Sequence, residues 1–100
     1  MPKKSLKDIV EETLTKFGGK PVKDAVLFHM NRRYKVRPED VLSKAELFIE
    51  ALKDIYGPFE APIEKELCNR LAKEYGIKYN NEGLICLVKR IRKDQKLIQG

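Results

Sequence analysis

One hundred residues, 42% hydrophobic and 36% charged, describe a single soluble domain large enough to bury a core without disulfide staples. No apolar run approaches 18 residues, which excludes a membrane-spanning helix. Lys3 and Lys4 have no apolar segment behind them, so no secretory signal is expected and the expected compartment is the cytoplasm. The net charge of +6 is unevenly spread: residues 1–37 carry ten Lys/Arg against four Asp/Glu, residues 38–82 six against ten, and residues 83–100 five against one. Basic ends around an acidic middle attract polyanions or dock on that middle; a plain solvated surface, with the Lys/Glu richness of a thermophile, gives the same counts.

Residues 1–4 read as a frayed tail. Ser5 with Asp8 three positions on resembles a capping signal, and Leu6, Ile9, Val10, Thr13, Leu14 and Phe17 make one helical stripe that Gly18-Gly19 ends. Pro21 suits the first turn of a second helix, where Val22, Ala25, Val26, Leu27, Phe28, Met30 and Tyr34 leave little polar circumference. Such a helix is expected among the most buried. Arg32, Arg33 and Lys35 at its end sit where the macrodipole favours cations, or where a ligand would meet them.

Arg37-Pro38 breaks the run, and residues 38–42 suit a single helical turn. The spacing predicts a central helix near 44–56: Ser43 and Glu46 read as a capping box, and Gly57-Pro58 as the stop. Ala45, Phe48, Ile49, Ala51, Leu52, Ile55 and Tyr56 share one side of its wheel, with Glu46, Glu50, Lys53 and Asp54 on the other. So broad an apolar face has to be covered from more than one direction. Pro62 opens a fourth helix, with Ile63, Leu67, Leu71 and Tyr75 at i, i+4 spacing, Cys68 beside them and Gly76 at its end. Asn80-Asn81 cap a fifth, where Leu84, Leu87, Val88, Ile91 and Ile98 form a narrow stripe opposite Lys89, Arg92, Lys93 and Lys96. No alternating strand pattern and no internal repeat occurs.

No catalytic constellation is visible. Cys68 and Cys86 lie 18 residues apart and one histidine supplies no zinc set, so Cys68 reads as a small buried hydrophobe. His29 has no Ser, Cys or Asp at helical spacing and reads as a core-edge residue. Glu60, Glu64, Glu66 and Glu74 match neither an EF-hand nor HExxH and are expected on a solvated surface. Gly18-Gly19-Lys20 lacks the spacing of a P-loop. Leu71-Ala72, Tyr75-Gly76-Ile77 and the basic segment that follows resemble a helix-turn-helix, although Glu82 stands where that motif wants an apolar residue.

The whole pattern resembles the Nitrosopumilus output domain family of small archaeal helical domains. The similarity covers residues 5–77. It is carried by Gly18, by Ala25-Val26-Leu27-Phe28-His29-Met30, and above all by the run from Phe48 through Leu52, Ile55-Tyr56-Gly57, Ala61-Pro62-Ile63-Glu64, Leu67, Leu71 and Tyr75-Gly76-Ile77. The family's aromatic before that glycine is usually Phe, so Tyr56 is a departure that keeps the packing role. The resemblance implies an all-helical output or interaction unit of signalling proteins without enzymatic activity, and supplies no functional residues.

The expectation is therefore an all-α bundle of about five short helices with helices two and three most buried. Its function is to bind another protein or a second copy, with no cofactor, metal, membrane or small-molecule substrate. The alternative is nucleic-acid binding through Arg32, Arg33, Lys89, Arg90, Arg92, Lys93 and Lys96.

Overall fold

The computed structural model describes the backbone of residues 4–99 and the side chains of residues 4–93. Five α-helices follow in chain order: α1 (Leu6–Lys16), α2 (Gly19–His29), α3 (Ala45–Tyr56), α4 (Glu60–Glu74) and α5 (Leu84–Gln99). Among the described residues there is no strand, so the chain is all-α as expected. A Cα radius of gyration of 13.1 Å matches the ~13 Å expected of one compact 100-residue domain.

The first helix starts as its sequence dictates: Ser5 Oγ accepts the Asp8 amide at 3.1 Å. Its stripe of Ile9, Val10 and Leu14 is buried, and Thr13 enters the core because its hydroxyl donates to the Ile9 carbonyl at 2.7 Å. Lys4, expected in a loose tail, is fastened instead. Its amide donates to Glu74 Oε2 at 2.8 Å, and its ammonium lies 2.9 Å from Glu12.

The turn into α2 needs Gly18. A Cβ there would stand 2.7 Å from the Val22 side chain, closer than carbon atoms approach. The second helix then departs from expectation. Of its residues only Val26 is buried, while Val22, Ala25 and Phe28 are exposed. It lies on the outside of the bundle, and α4 takes the central place beside α3. Beyond His29 the chain widens into a π-helical turn, Met30–Tyr34, closed by a left-handed Lys35 (φ 54°). That turn buries Met30 and delivers Val36 into the core.

A 3-10 turn at Pro38–Asp40 packs on α1, with Asp40 Oδ2 accepting the Arg37 amide at 3.1 Å. Asp40 thus caps this turn, not α3, and the capping box expected from Ser43 does not form. Lys44 occupies the N-cap of α3, and the Ser43 hydroxyl turns back to the Asp40 carbonyl at 3.4 Å. The third helix buries Ala45, Phe48, Ile49, Ala51 and Leu52 and leaves Glu46, Glu50, Lys53 and Asp54 in water, as its periodicity requires. It is covered by the π turn, α4 and α5.

The fourth helix begins at Glu60, two residues before Pro62, and buries Ile63, Leu67, Cys68, Leu71 and Ala72. Its end is a Schellman motif: the Ile77 amide donates to the Ala72 carbonyl at 2.9 Å and the Gly76 amide to Lys73 at 3.3 Å. Gly76 adopts φ 66°, which a side chain would strain. Leu84, Leu87, Val88 and Ile91 of α5 close the core; Ile98 lies outside the described side chains.

Candidate functional site

The residues with binding potential fall on separate elements. Arg32 and Arg33 project from the π turn into solvent, and neither forms an ion pair among the described residues. Arg32 lies with its guanidinium carbon 5.9 Å from the centroid of the Phe28 ring, a cation–π contact. Phe28 is itself 64% exposed, with exposed Val22 and Ala25 on the same helix. His29 forms one border of this surface, its Nε2 3.5 Å from Asp54 Oδ2 of α3.

On α5, Lys89, Arg92 and Lys93 are exposed. Lys89 and Arg92 overlook a groove of about 260 Å³ floored by Leu42, Leu47 and Val88. Arg90 does not belong with them: it is half-buried and pairs with Glu82 at 2.7 Å, so its role is structural. Lys96 lies outside the described side chains. The π turn and α5 both pack on α3 but carry their cations on separate elements.

The helix-turn-helix expectation meets a geometric obstacle. Residues 75–83 separate α4 from α5, nine residues where that motif uses a turn of three or four. Asn80 and Asn81 do not cap α5 either. Glu64, from the middle of α4, does so, its Oε2 accepting the Leu84 amide at 2.7 Å. Glu82 accepts the Asn80 amide at 3.0 Å as well as Arg90. Partial burial raises its pKa, but the bonds from Arg90, the Asn80 amide and Cys86 outweigh that and leave it below the ordinary value.

Glu66 and Glu74, expected on a solvated surface, are half-buried and engaged: Glu74 accepts the Lys4 amide and Glu66 joins an ion-pair network. A groove of about 610 Å³ between α1 and α4 is lined by both signs of charge. Arg70 bridges Glu12 at 3.1 Å and Glu66 at 2.8 Å, with Lys4 and Lys16 completing the set. The hydrogen bond from Lys4 lowers the Glu12 pKa, and that from Arg70 lowers Glu66. These charges satisfy one another and hold α1 on α4.

Glu60 corrects the expectation outright. It is only 5% exposed, and its Oε2 is buried without a hydrogen-bond partner among the described residues. Burial, then the neighbouring Glu64 carboxyl, push its pKa up to about 7. One signal was available: Glu60 precedes Ile63 by three residues and Leu67 by seven, so it lies on the buried stripe of α4.

Cys68 is buried and unpaired, its thiol pushed up to about 12 by burial and the nearby carboxylates, while Cys86 is exposed and also unpaired. Among the described residues no group of three or more His, Cys, Asp or Glu gathers as metal ligands, and no helix is long and apolar enough to cross a membrane. Neither a family model nor a curated protein nor a solved structure matches this chain.

Proposed function

We propose that the chain is a non-enzymatic cytoplasmic interaction module of the signal-output kind, docking a protein partner on the outer face of α2. The observation that carries this reading is Phe28. A helix apolar over most of its circumference lies on the surface, with an aromatic side chain 64% exposed near its C-terminal end and exposed Val22 and Ala25 earlier on the same helix. Large exposed apolar side chains grouped on one element mark interaction sites, and aromatic and arginine side chains dominate binding energies at such sites. Arg32 and Arg33 fringe the surface with unpaired positive charge, so the complementary partner presents an apolar contact flanked by carboxylates. The resemblance to the Nitrosopumilus output domain family implies the same class of role.

The test compares wild type with Phe28→Asp and Arg32→Glu, both surface changes whose folding is checked by circular dichroism. Proteins retained from source lysate by wild type and lost by both variants, or a dimer in light scattering that both abolish, support the reading. A monomer that retains nothing these variants lose overturns it.

A second reading, nucleic-acid binding through α5, is favoured by exposed Lys89, Arg92 and Lys93, which form no ion pair among the described residues. Three neutralised phosphates give a log–log salt slope of about −3 on duplex DNA. Absence of binding at low salt removes this alternative.

A further inference from the structure

The α4–α5 junction holds a carboxyl pair that the interaction surface on α2 does not use. Glu60 and Glu64 stand one helical turn apart on α4 with their carboxyls facing. Glu64 Oε2 is committed to the Leu84 amide, the first N–H of α5, a bond that a carboxylate makes best. Glu60 has the opposite surroundings: it is sealed from water and its Oε2 has no donor. A buried oxygen without a donor is tolerable on a neutral acid and costly on an anion.

We propose that Glu60 and Glu64 share a single proton, and that its loss as pH rises unlatches the start of α5 from α4. With the proton in place, Glu60 is neutral and Glu64 keeps its charge for the Leu84 amide. When the proton leaves for solvent, a second negative charge appears beside the first. The groups that face the pair give little relief. Among the described residues, Lys53 of α3 is the cation that acts on Glu60. Cys68 on α4 feels Glu64, Glu82 and Glu60 together, and Tyr79 from the connection bonds to Cys68. From α5 the facing group is the Leu84 amide itself, because Arg90 is engaged by Glu82. Cys68 and Tyr79 both have raised pKa values, so neither ionises in the range where Glu60 does.

Glu64 is only half-buried, so it is the carboxylate that can swing into water, and doing so strips α5 of its cap. Leu84 and Leu87, both fully buried, then lose the anchor of the turn that carries them. The sign follows from the raised pKa of Glu60. The contribution of neutral Glu60 to the latch is complete below the ordinary carboxylate range, weakens as pH rises from there, and is lost above about 7.

The experiment is a pH series from 5 to 9 on the full chain. It follows the Glu side-chain carboxyl carbons by NMR and the exchange of the Leu84 amide, with the His29 ring read separately. The expected result is a Glu60 carboxyl that titrates near neutrality, with Leu84 protection falling at least about tenfold beyond the intrinsic base-catalysed increase over the same range. Glu60→Gln keeps Leu84 protected to pH 9. Glu64→Gln, whose amide oxygen still accepts from Leu84, returns the Glu60 titration toward acid. An ordinary acidic titration of Glu60, unchanged Leu84 protection, or the same transition in Glu60→Gln overturns the proposal. Should that variant fail to fold, the wild-type and Glu64→Gln titrations decide.

Discussion

Tyr56 offers a sharp test of the packing between α3 and α4. Its side chain is half-buried, but its hydroxyl oxygen is fully covered and has no hydrogen-bond partner among the described residues. Burial alone raises its pKa, which fits a phenol that has lost water without gaining an acceptor. An unmatched buried hydroxyl costs about 1–3 kcal/mol, and removing it keeps the ring and its contacts. Tyr56→Phe is therefore expected to stabilise the protein. Taking the lower end, because the ring is not wholly buried, gives about 1 kcal/mol, or roughly 4–8 °C in Tm for a domain of this size. Urea unfolding should show the midpoint moving up by about 0.5–1 M with an unchanged slope. Tyr34 supplies the contrast, since its hydroxyl bonds to Asp54 and Tyr34→Phe should lose stability. A Tyr56→Phe protein no more stable than wild type would mean that the hydroxyl is satisfied, and the reasoning from its isolation would fail.

Two further outcomes follow from the ion-pair network and from Gly18. Glu12 and Glu66 have pKa values lowered by Lys4 and Arg70, so their contribution is present above the ordinary carboxylate value and disappears as pH falls below it. Urea unfolding at pH 5 and pH 3 should show this loss, smaller in high salt and smaller again in Arg70→Ala; an Arg70→Ala protein with the wild-type pH dependence would contradict it. Gly18→Ala should destabilise by about 1–3 kcal/mol through collision with Val22, and Val22→Ala in the same chain should recover part of that loss. Additive effects of the two changes would rule out the close approach as the cause.

Much of the architecture could be read from local pattern because α3, α4 and α5 each have one apolar side and one polar side. For α3 the division is clean enough that every expected core position from Ala45 to Leu52 is buried. The second helix defeated the same reasoning for the complementary reason. Apolar residues on nearly every side give no direction, so periodicity could not tell which face the bundle covers and which it leaves to Phe28. Ser43 and Glu46 had the right spacing for a capping box, but the helix starts one residue later, at a Lys44 N-cap, and the Ser43 hydroxyl turns back to the Asp40 carbonyl. Asn80 and Asn81 were the best caps within reach along the chain; the actual one, Glu64, lies twenty residues upstream and becomes a neighbour only through tertiary packing. Arg32, Arg33, Lys89, Arg92 and Lys93 are exposed as expected, whereas Arg90 was withdrawn by a partner eight residues away.

That long-range cap also bears on the order in which the protein assembles. The first turn of α5 is defined by a side chain that reaches it only after α4 has formed, so a peptide of α5 alone has no fixed starting point for its helical hydrogen bonds. The last helix should therefore be the late-docking element, added to a subdomain of α1, α3 and α4 that is already assembled.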